Sequence, residues 1–349
     1  MTKVDLSKGP NELARAATHA ADYLRSPGTS SHYTGERDKI GNVITPIFIV
    51  LGSGCDSVAN AIKPIATIPY KIIPHMPQST VEGHKGELIL GTYQGKHVAG
   101  FRGRQHTYEG YSPQEASFMV YLAREFGAQL GIMTCAVGLA PKLDGSYEIG
   151  PNQLALIESY FPNFLGSSLR GPISKDVGPR FNGTINVPGA YATHLAQEIG
   201  KRNDIDLKNG ILVPRQGPNY ETAAEVNLLT AMSHIFKKPV FGGMSTVPEL
   251  EACSVLGIEA LAIAVVTNHM FTLDHRQRLE KEMREKLGAL IDDEGIARHT
   301  LNDARDSVIG IAKSYMPSHD EVTKAANDAG TKRDLETVIG GIVRAVRFQ

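Results

Sequence analysis

The chain has 349 residues, 42% of them hydrophobic and 21% charged, which excludes a disordered protein and leaves room for a sizeable buried core. Lys plus Arg is 36 and Asp plus Glu is 37, a formal net charge of −1, so no global basic field exists to hold nucleic acid or an anionic membrane and any anion site must be local. Cys55, Cys135 and Cys253 lack CxxC spacing, which argues against a disulfide framework and a cysteine-rich zinc site, and no apolar run is long enough to span a bilayer; the expectation is a soluble, cytoplasmic protein.

In chain order, residues 11–25 (NELARAATHAADYLR) read as an amphipathic helix, followed by the polar loop SPGTSSHYTGERD. Short apolar runs then alternate with helical stretches: PIFIVLGSG, KHVAGFRGR, QLGIMTCAVG, KPVFGGMS and ALAIAVVTN, each ending in a small or polar cluster. Ser112, Pro113 and Glu115 form a capping box ahead of a helix that Gly127 ends. Thr222 and Glu225 in GPNYETAAE form a second, and Thr246 and Glu249 predict a third ahead of LEACSVLG. Residues 274–315 are charged and mostly helical, and 318–349 read as an extra polar helical extension. The alternation predicts an α/β protein, a mixed or parallel sheet flanked by helices, as a single domain over 1–349.

In open α/β sheets ligands bind outside the carboxyl ends of the strands, so the strand-end residues carry the functional reading. Gly52-Ser53-Gly54 can form an anion-cradling nest, although most such turns are only turns. Arg104, His106 and Tyr108 share one strand-to-helix loop, where a guanidinium suits phosphate or carboxylate, against the alternative of a solvated loop. His84 sits in a Gly-flanked turn, and Ser245 is a hydroxyl at a strand end. Asn268 ends the run ALAIAVV; its amide suits a ring nitrogen beside a carbonyl, or simply a turn. Glu221 lies just outside the capping box, free to point elsewhere, whereas Glu225 caps. No activated Ser or Cys nucleophile and no metal-ligand spacing is evident. What remains is an anion site beside a site for a polar planar ring.

Taken together, GSG, VEGHKG, GRQHTYEGY, TCAVGLAP, LRGPISKDVGPRF, GPNYETAAE, GMSTVPE and VTNHM resemble the trimeric purine nucleoside phosphorylase family, in order and spacing from about residue 45 to 270. The resemblance implies the nucleoside phosphorylase fold, a distorted mixed β-sheet flanked by helices, and phosphorolysis of purine nucleosides to free base and ribose 1-phosphate in purine salvage. It implies a homotrimer, inorganic phosphate as co-substrate, and no metal or organic cofactor.

By the same resemblance, phosphate falls to Ser53, His84, Arg104, His106, the backbone at Ala136, and Ser245. The ribose falls to Tyr108 and Met244 and its 5′-hydroxyl to His299, in ARHTL. The purine falls to Tyr220, Glu221 and Asn268, with Glu221 accepting N1–H of a 6-oxopurine; Asn268, Glu221 and His106 are the catalytic candidates. The chain departs from the family pattern at Cys135, where Asn is usual, at Gly54-Cys55-Asp56, and at Val177, aligned with a Phe that a neighbouring subunit donates. Methylthioadenosine phosphorylase, a sister group with Asp in place of Asn268 and Thr in place of Ser245, and a purine-binding paralogue without turnover are the competing readings.

Overall fold

The structure, a computed structural model, describes residues 4–26, 34–35, 43–52, 55–81, 83–162, 165–287, 324 and 327–348. Strands β1 Thr34–Gly35, β2 Ile47–Leu51, β3 Lys63–Pro69, β4 Glu87–Tyr93, β5 Lys96–Arg102, β6 Leu130–Leu139, β7 Leu154–Tyr160, β8 Lys208–Pro214, β9 Val240–Gly243 and β10 Glu259–His269 form one 10-stranded sheet in the order β1-β3-β4-β5-β2-β6-β10-β7-β8-β9. Flanking it are helices α1 Pro10–Arg25, α2 Asp56–Ala61, α3 Pro113–Ala116, α4 Phe118–Glu125, α5 Ala190–Arg202, α6 Ala223–Phe236, α7 Val247–Leu256, α8 Leu273–Leu287 and α9 Ala329–Ala345.

The expected α/β class and mixed sheet are found. β5, β2, β6 and β10 run parallel at the centre, where IFIVL of β2 is buried on both faces, as strands covered by helices on each side must be. β7 opposes β10 and leads into the parallel set β7, β8 and β9. β9 then pairs back onto β6, antiparallel, through Gly138↔Gly242 and Leu139↔Phe241. The sheet therefore curls closed across β6, β10, β7, β8 and β9, and the ends of β2, β5, β6, β9 and β10 meet over one hollow.

The five apolar runs singled out in the sequence are β2, β5, β6, β9 and β10. Missed were β3, β4, β7 and β8, and the two-residue β1, which lies in the segment read as a loop. β3 (KPIATIP) carries two prolines and a half-exposed pattern, and β8 (KNGILVP) opens on polar residues, so neither reads as a buried run.

α1 buries Leu13, Ala16, Ala17, Ala20, Ala21 and Leu24, the stripe its period promised, and the small alanines allow close packing against α4. The Ser112/Glu115 capping box forms, with the Glu115 amide donating to Ser112 Oγ at 3.2 Å, yet the helix breaks at Ser117 after one turn and resumes as α4 before Gly127, at φ +86°. The described part of the expected extension is helical, but it is not polar throughout. α9 is amphipathic, burying Leu335, Val338, Ile339, Ile342 and Val343 in the cluster that holds Ile47, Ile49, Leu261 and Ile263, and Asp328 caps it by accepting from the Gly330 and Thr331 amides. No helix among the described residues is long and apolar enough to cross a membrane.

Candidate active site

The hollow over the strand ends is a cleft of about 140 Å³. His84, Arg104, His106, Tyr108, Ala136, Tyr220, Glu221, Met244, Ser245 and Asn268 all line it, so residues from 84 to 268 of the chain converge as the sequence suggested. Ser53 and His299 lie outside the described residues. Gly52 is in the lining, its amide donating to Thr134 Oγ1 at 3.1 Å.

Arg104 follows β5 and is buried, only 1% exposed. Its Nη1 donates to Ser245 Oγ at 2.9 Å and Thr246 Oγ1 at 2.8 Å, and its Nε lies 3.3 Å from Glu249 Oε1. Nη2 is buried with no hydrogen-bond partner, and the 3.3 Å approach of Nε and Glu249 Oε1 is an ion pair rather than a hydrogen bond. A buried cation beside a cleft with a donor left over is a receptor for an anion.

The expected Thr246/Glu249 capping box is absent. Thr246 has φ +78° and ψ −39°, no cap hydrogen bond forms from its side chain, and the Val247 amide donates to Ser245 O at 2.9 Å, closing a γ-turn. For a β-branched residue that conformation costs on the order of 1–3 kcal/mol. Both side chains are taken up by the guanidinium instead, because a buried charge left unpaired would cost more than a missing cap.

On the opposite wall, the His106 ring is stacked between His84, at a centroid distance of 5.4 Å, and Tyr108, at 4.6 Å. Burial, then the charges of His106 and Arg104, lowers the His84 pKa to about 4, so that ring is neutral at physiological pH. Burial likewise pushes Tyr108 up to about 12. Glu109, which sequence reasoning missed, sets the geometry here. Its Oε1 accepts from the His106 amide at 2.8 Å and lies 3.0 Å from His106 Nδ1, and its Oε2 accepts from Thr80 N–H and Oγ1. Burial opposes its ionisation, but these donors outweigh it and hold the carboxyl at about 2. The carboxylate thus fixes the hydrogen on His106 Nδ1 and leaves Nε2 for a ligand. The signal was present in His106-Thr107-Tyr108-Glu109, the same three-residue spacing as a capping box.

The far end of the cleft carries the planar-ring groups. At the start of α6 the capping box forms as expected: the Glu225 amide donates to Thr222 Oγ1 at 3.3 Å, Glu225 accepts from Thr222, and Arg215 Nη1 lies 3.2 Å away. Glu221 takes no part in it. Burial raises its pKa, and its carboxylate rests against Gly242, where a Cβ would lie 2.5 Å from Glu221 Oε1 and 2.4 Å from Met270 Cε. Across the strand pair, a Cβ on Gly138 would lie 3.2 Å from Asn268 Nδ2. The facing glycines Gly138 and Gly242 therefore open the notch that both polar side chains occupy. A bulge between Val266 and Asn268 re-aims Asn268; Thr267 Oγ1 donates to its Oδ1 at 3.1 Å, and Nδ2, held only by a long 3.5 Å contact to His269 O, is the donor the amide keeps beside the cleft.

Of the departures, Cys135 lines the cleft, and burial pushes its thiol up to about 11, so it is no nucleophile. Val177 is buried in this chain's own core, its carbonyl accepting from Arg124 Nη1. Among the described residues no group of His, Cys, Asp and Glu could hold a metal ion.

This architecture and cleft agree with what comparison with known proteins finds. Residues 46–293 match the model of the phosphorylase superfamily. The chain is 34% identical over 250 residues to purine nucleoside phosphorylase 1 of Bacillus subtilis (strain 168), covering 70% of this chain and 88% of the relative, and 30% identical over 251 residues to purine nucleoside phosphorylase of Bos taurus, covering 70% and 82%. The crystal structure of Schistosoma mansoni purine nucleoside phosphorylase in complex with inosine superposes with a TM-score of 0.70 at 23% identity, over 98% of this chain and 99% of that one. The chain belongs to the phosphorylase superfamily and, within it, to the purine nucleoside phosphorylases.

Proposed function

We propose that this protein cleaves 6-oxopurine nucleosides with inorganic phosphate, giving free base and ribose 1-phosphate. The observation that carries the reading is the juxtaposition, in one cleft, of the unpartnered Nη2 edge of Arg104 with the paired recognition groups Glu221 and Asn268. Phosphate binds Arg104, His106, His84, Ser245 and the backbone at Ala136, with Ser53 contributing from outside the described residues. Tyr108 and Met244 hold the ribose, Tyr220 stacks on the base, and His299 reaches the 5′-hydroxyl.

The chemistry follows from placement. The glycosidic bond lengthens and its electron pair moves onto the purine, while a phosphate oxygen closes on the anomeric carbon as positive charge grows on the ribosyl group. Asn268 Nδ2 donates to N7 of the departing base, where negative charge collects, and Glu221 accepts N1–H. Orientation of the two substrates and electrostatic stabilisation do the work; no covalent intermediate with the protein and no cofactor enters the scheme.

The reading includes a homotrimer, supported by the exposed apolar side chains Phe181, Ile185 and Tyr191, and a cytosolic location, supported by three buried cysteines that form no disulfide with one another. Assaying inosine, guanosine, adenosine and methylthioadenosine with and without phosphate tests the function. Phosphate-dependent turnover of inosine and guanosine is expected. Equal turnover in phosphate-free buffer, or preference for methylthioadenosine, overturns it.

A further inference from the structure

None of the roles above uses Glu249, although it is 1% exposed and stands on the first turn of α7 directly behind Arg104. Ser245 and Thr246 orient Nη1 through neutral hydroxyls, so they supply direction without charge. In the empty cleft Glu249, 3.3 Å from Nε, is the anion that lets the guanidinium stay charged away from water. Nη2 has no hydrogen-bond partner and is the donor left for a ligand.

We infer that Glu249 is the resident counter-ion of the phosphate site: it balances and aims Arg104 while the site is empty and, by sharing that cation, weakens the hold on phosphate and ribose 1-phosphate enough for them to leave. The inference rests on the phosphate reading given under Proposed function. Two anions share one guanidinium, Glu249 at Nε and the phosphate at Nη2, so the bound phosphate feels the repulsion of Glu249 at short range in a poorly screened interior. Removing that charge has two opposite effects. It leaves the empty site with an unbalanced cation, which destabilises the fold, and it makes the site more attractive to an anion, which restores the balance.

The test compares wild type, Glu249→Gln and Glu249→Asp by thermal melting with and without inorganic phosphate, and by the KM for phosphate and for inosine. Glu249→Gln keeps the shape and loses the charge. It is expected to melt on the order of 10 °C lower in phosphate-free buffer, to recover most of that loss at saturating phosphate, and to show a KM for phosphate at least about fivefold lower than wild type while the KM for inosine moves less than about twofold. Glu249→Asp keeps the charge and is expected to retain the wild-type KM for phosphate within about twofold. An equal melting loss with and without phosphate, or an unchanged or raised KM for phosphate in Glu249→Gln, overturns the inference. If Glu249→Gln cannot be isolated, Glu249→Asp decides: a wild-type KM for phosphate supports a charge role, and a KM for phosphate more than about twofold from wild type refutes it. Wild-type turnover without phosphate defeats the phosphate reading itself, whereas phosphate-dependent wild type with no phosphate rescue of Gln defeats only the counter-ion.

Discussion

Glu221 and Glu225 stand on either side of one helix start, and their surroundings separate them. Glu225 is exposed, accepts from Thr222 and pairs with Arg215, and those contacts lower its pKa; Glu221 is partly buried against Gly242 and Met270, and its pKa is raised. A 6-oxopurine offers N1–H to the Glu221 carboxylate, whereas adenine offers a lone pair, and an unpaired buried group costs about 1–3 kcal/mol, more if charged. Wild type is expected to favour inosine over adenosine by at least roughly a hundredfold in kcat/KM. Glu221→Gln should erode that preference at least about tenfold, since an amide can donate to N1, while Glu225→Gln should leave it intact because a capping box tolerates Gln. The pH dependence has a definite sign. Protonation removes the acceptor, so the KM for inosine should rise as pH falls through the raised pKa of Glu221, and Glu221→Gln should lack that limb. Equal effects of the two substitutions would show the glutamates to be assigned wrongly. This division was legible in the sequence because a capping box is a local motif. Glu109 was legible only on its local side, the His106-to-Glu109 spacing, because its grip on Thr80 joins segments 29 residues apart.

The same Thr-x-x-Glu pattern occurs at the starts of α6 and α7 with opposite outcomes. At Thr222 the nearest unsatisfied groups are the helix's own amides, and the box closes. At Thr246 a buried guanidinium arrives from β5, 142 residues away in sequence, and takes both side chains. Local spacing fixes which groups are available, while the tertiary neighbour decides which bond they make. Helix α9 shows the same limit from another side. Its polar appearance conceals the stripe Leu335, Val338, Ile339, Ile342 and Val343, because Gly340 and Gly341 and flanking charges dilute the pattern. Ile339 is fully buried, so Ile339→Ala is expected to destabilise the protein by about 2–5 kcal/mol, read as a lower urea midpoint with an unchanged slope. A loss under about 0.5 kcal/mol, the range of surface substitutions, would mean that α9 is only an appendage.

For the molecule as a whole, the convergence of strand ends was legible, since each apolar run stops at a polar or small residue that the sheet carries to one hollow. The closure of β9 onto β6 was not, because it depends on Gly138 and Gly242 meeting across 104 positions of sequence. Assembly belongs to this scale too. Phe181 is 92% exposed and Ile185, four positions on, is no better covered, apolar surface that favours burial against another subunit. Light scattering at micromolar concentration is expected to give three times the 37.7 kDa chain mass, and Phe181→Ser is expected to shift it downward. A monomeric mass for wild type counts against the trimer.

The position of α9 also bears on how the chain is made. The apolar cluster on one face of β2 and β10 at the centre of the sheet is completed by a helix, packed against α2, α5 and β7, that begins at residue 329, after the described strands have been synthesised. While a ribosome is still adding the intervening segment, the cluster around Ile47, Ile49, Leu261 and Ile263 has α2 and α5 but lacks the five apolar side chains of α9, so a nascent chain with the whole sheet already emerged still presents part of an apolar face to solvent. Chaperone occupancy on the ribosome should therefore persist until α9 clears the exit tunnel, and a stalled chain ending before residue 329 should remain bound.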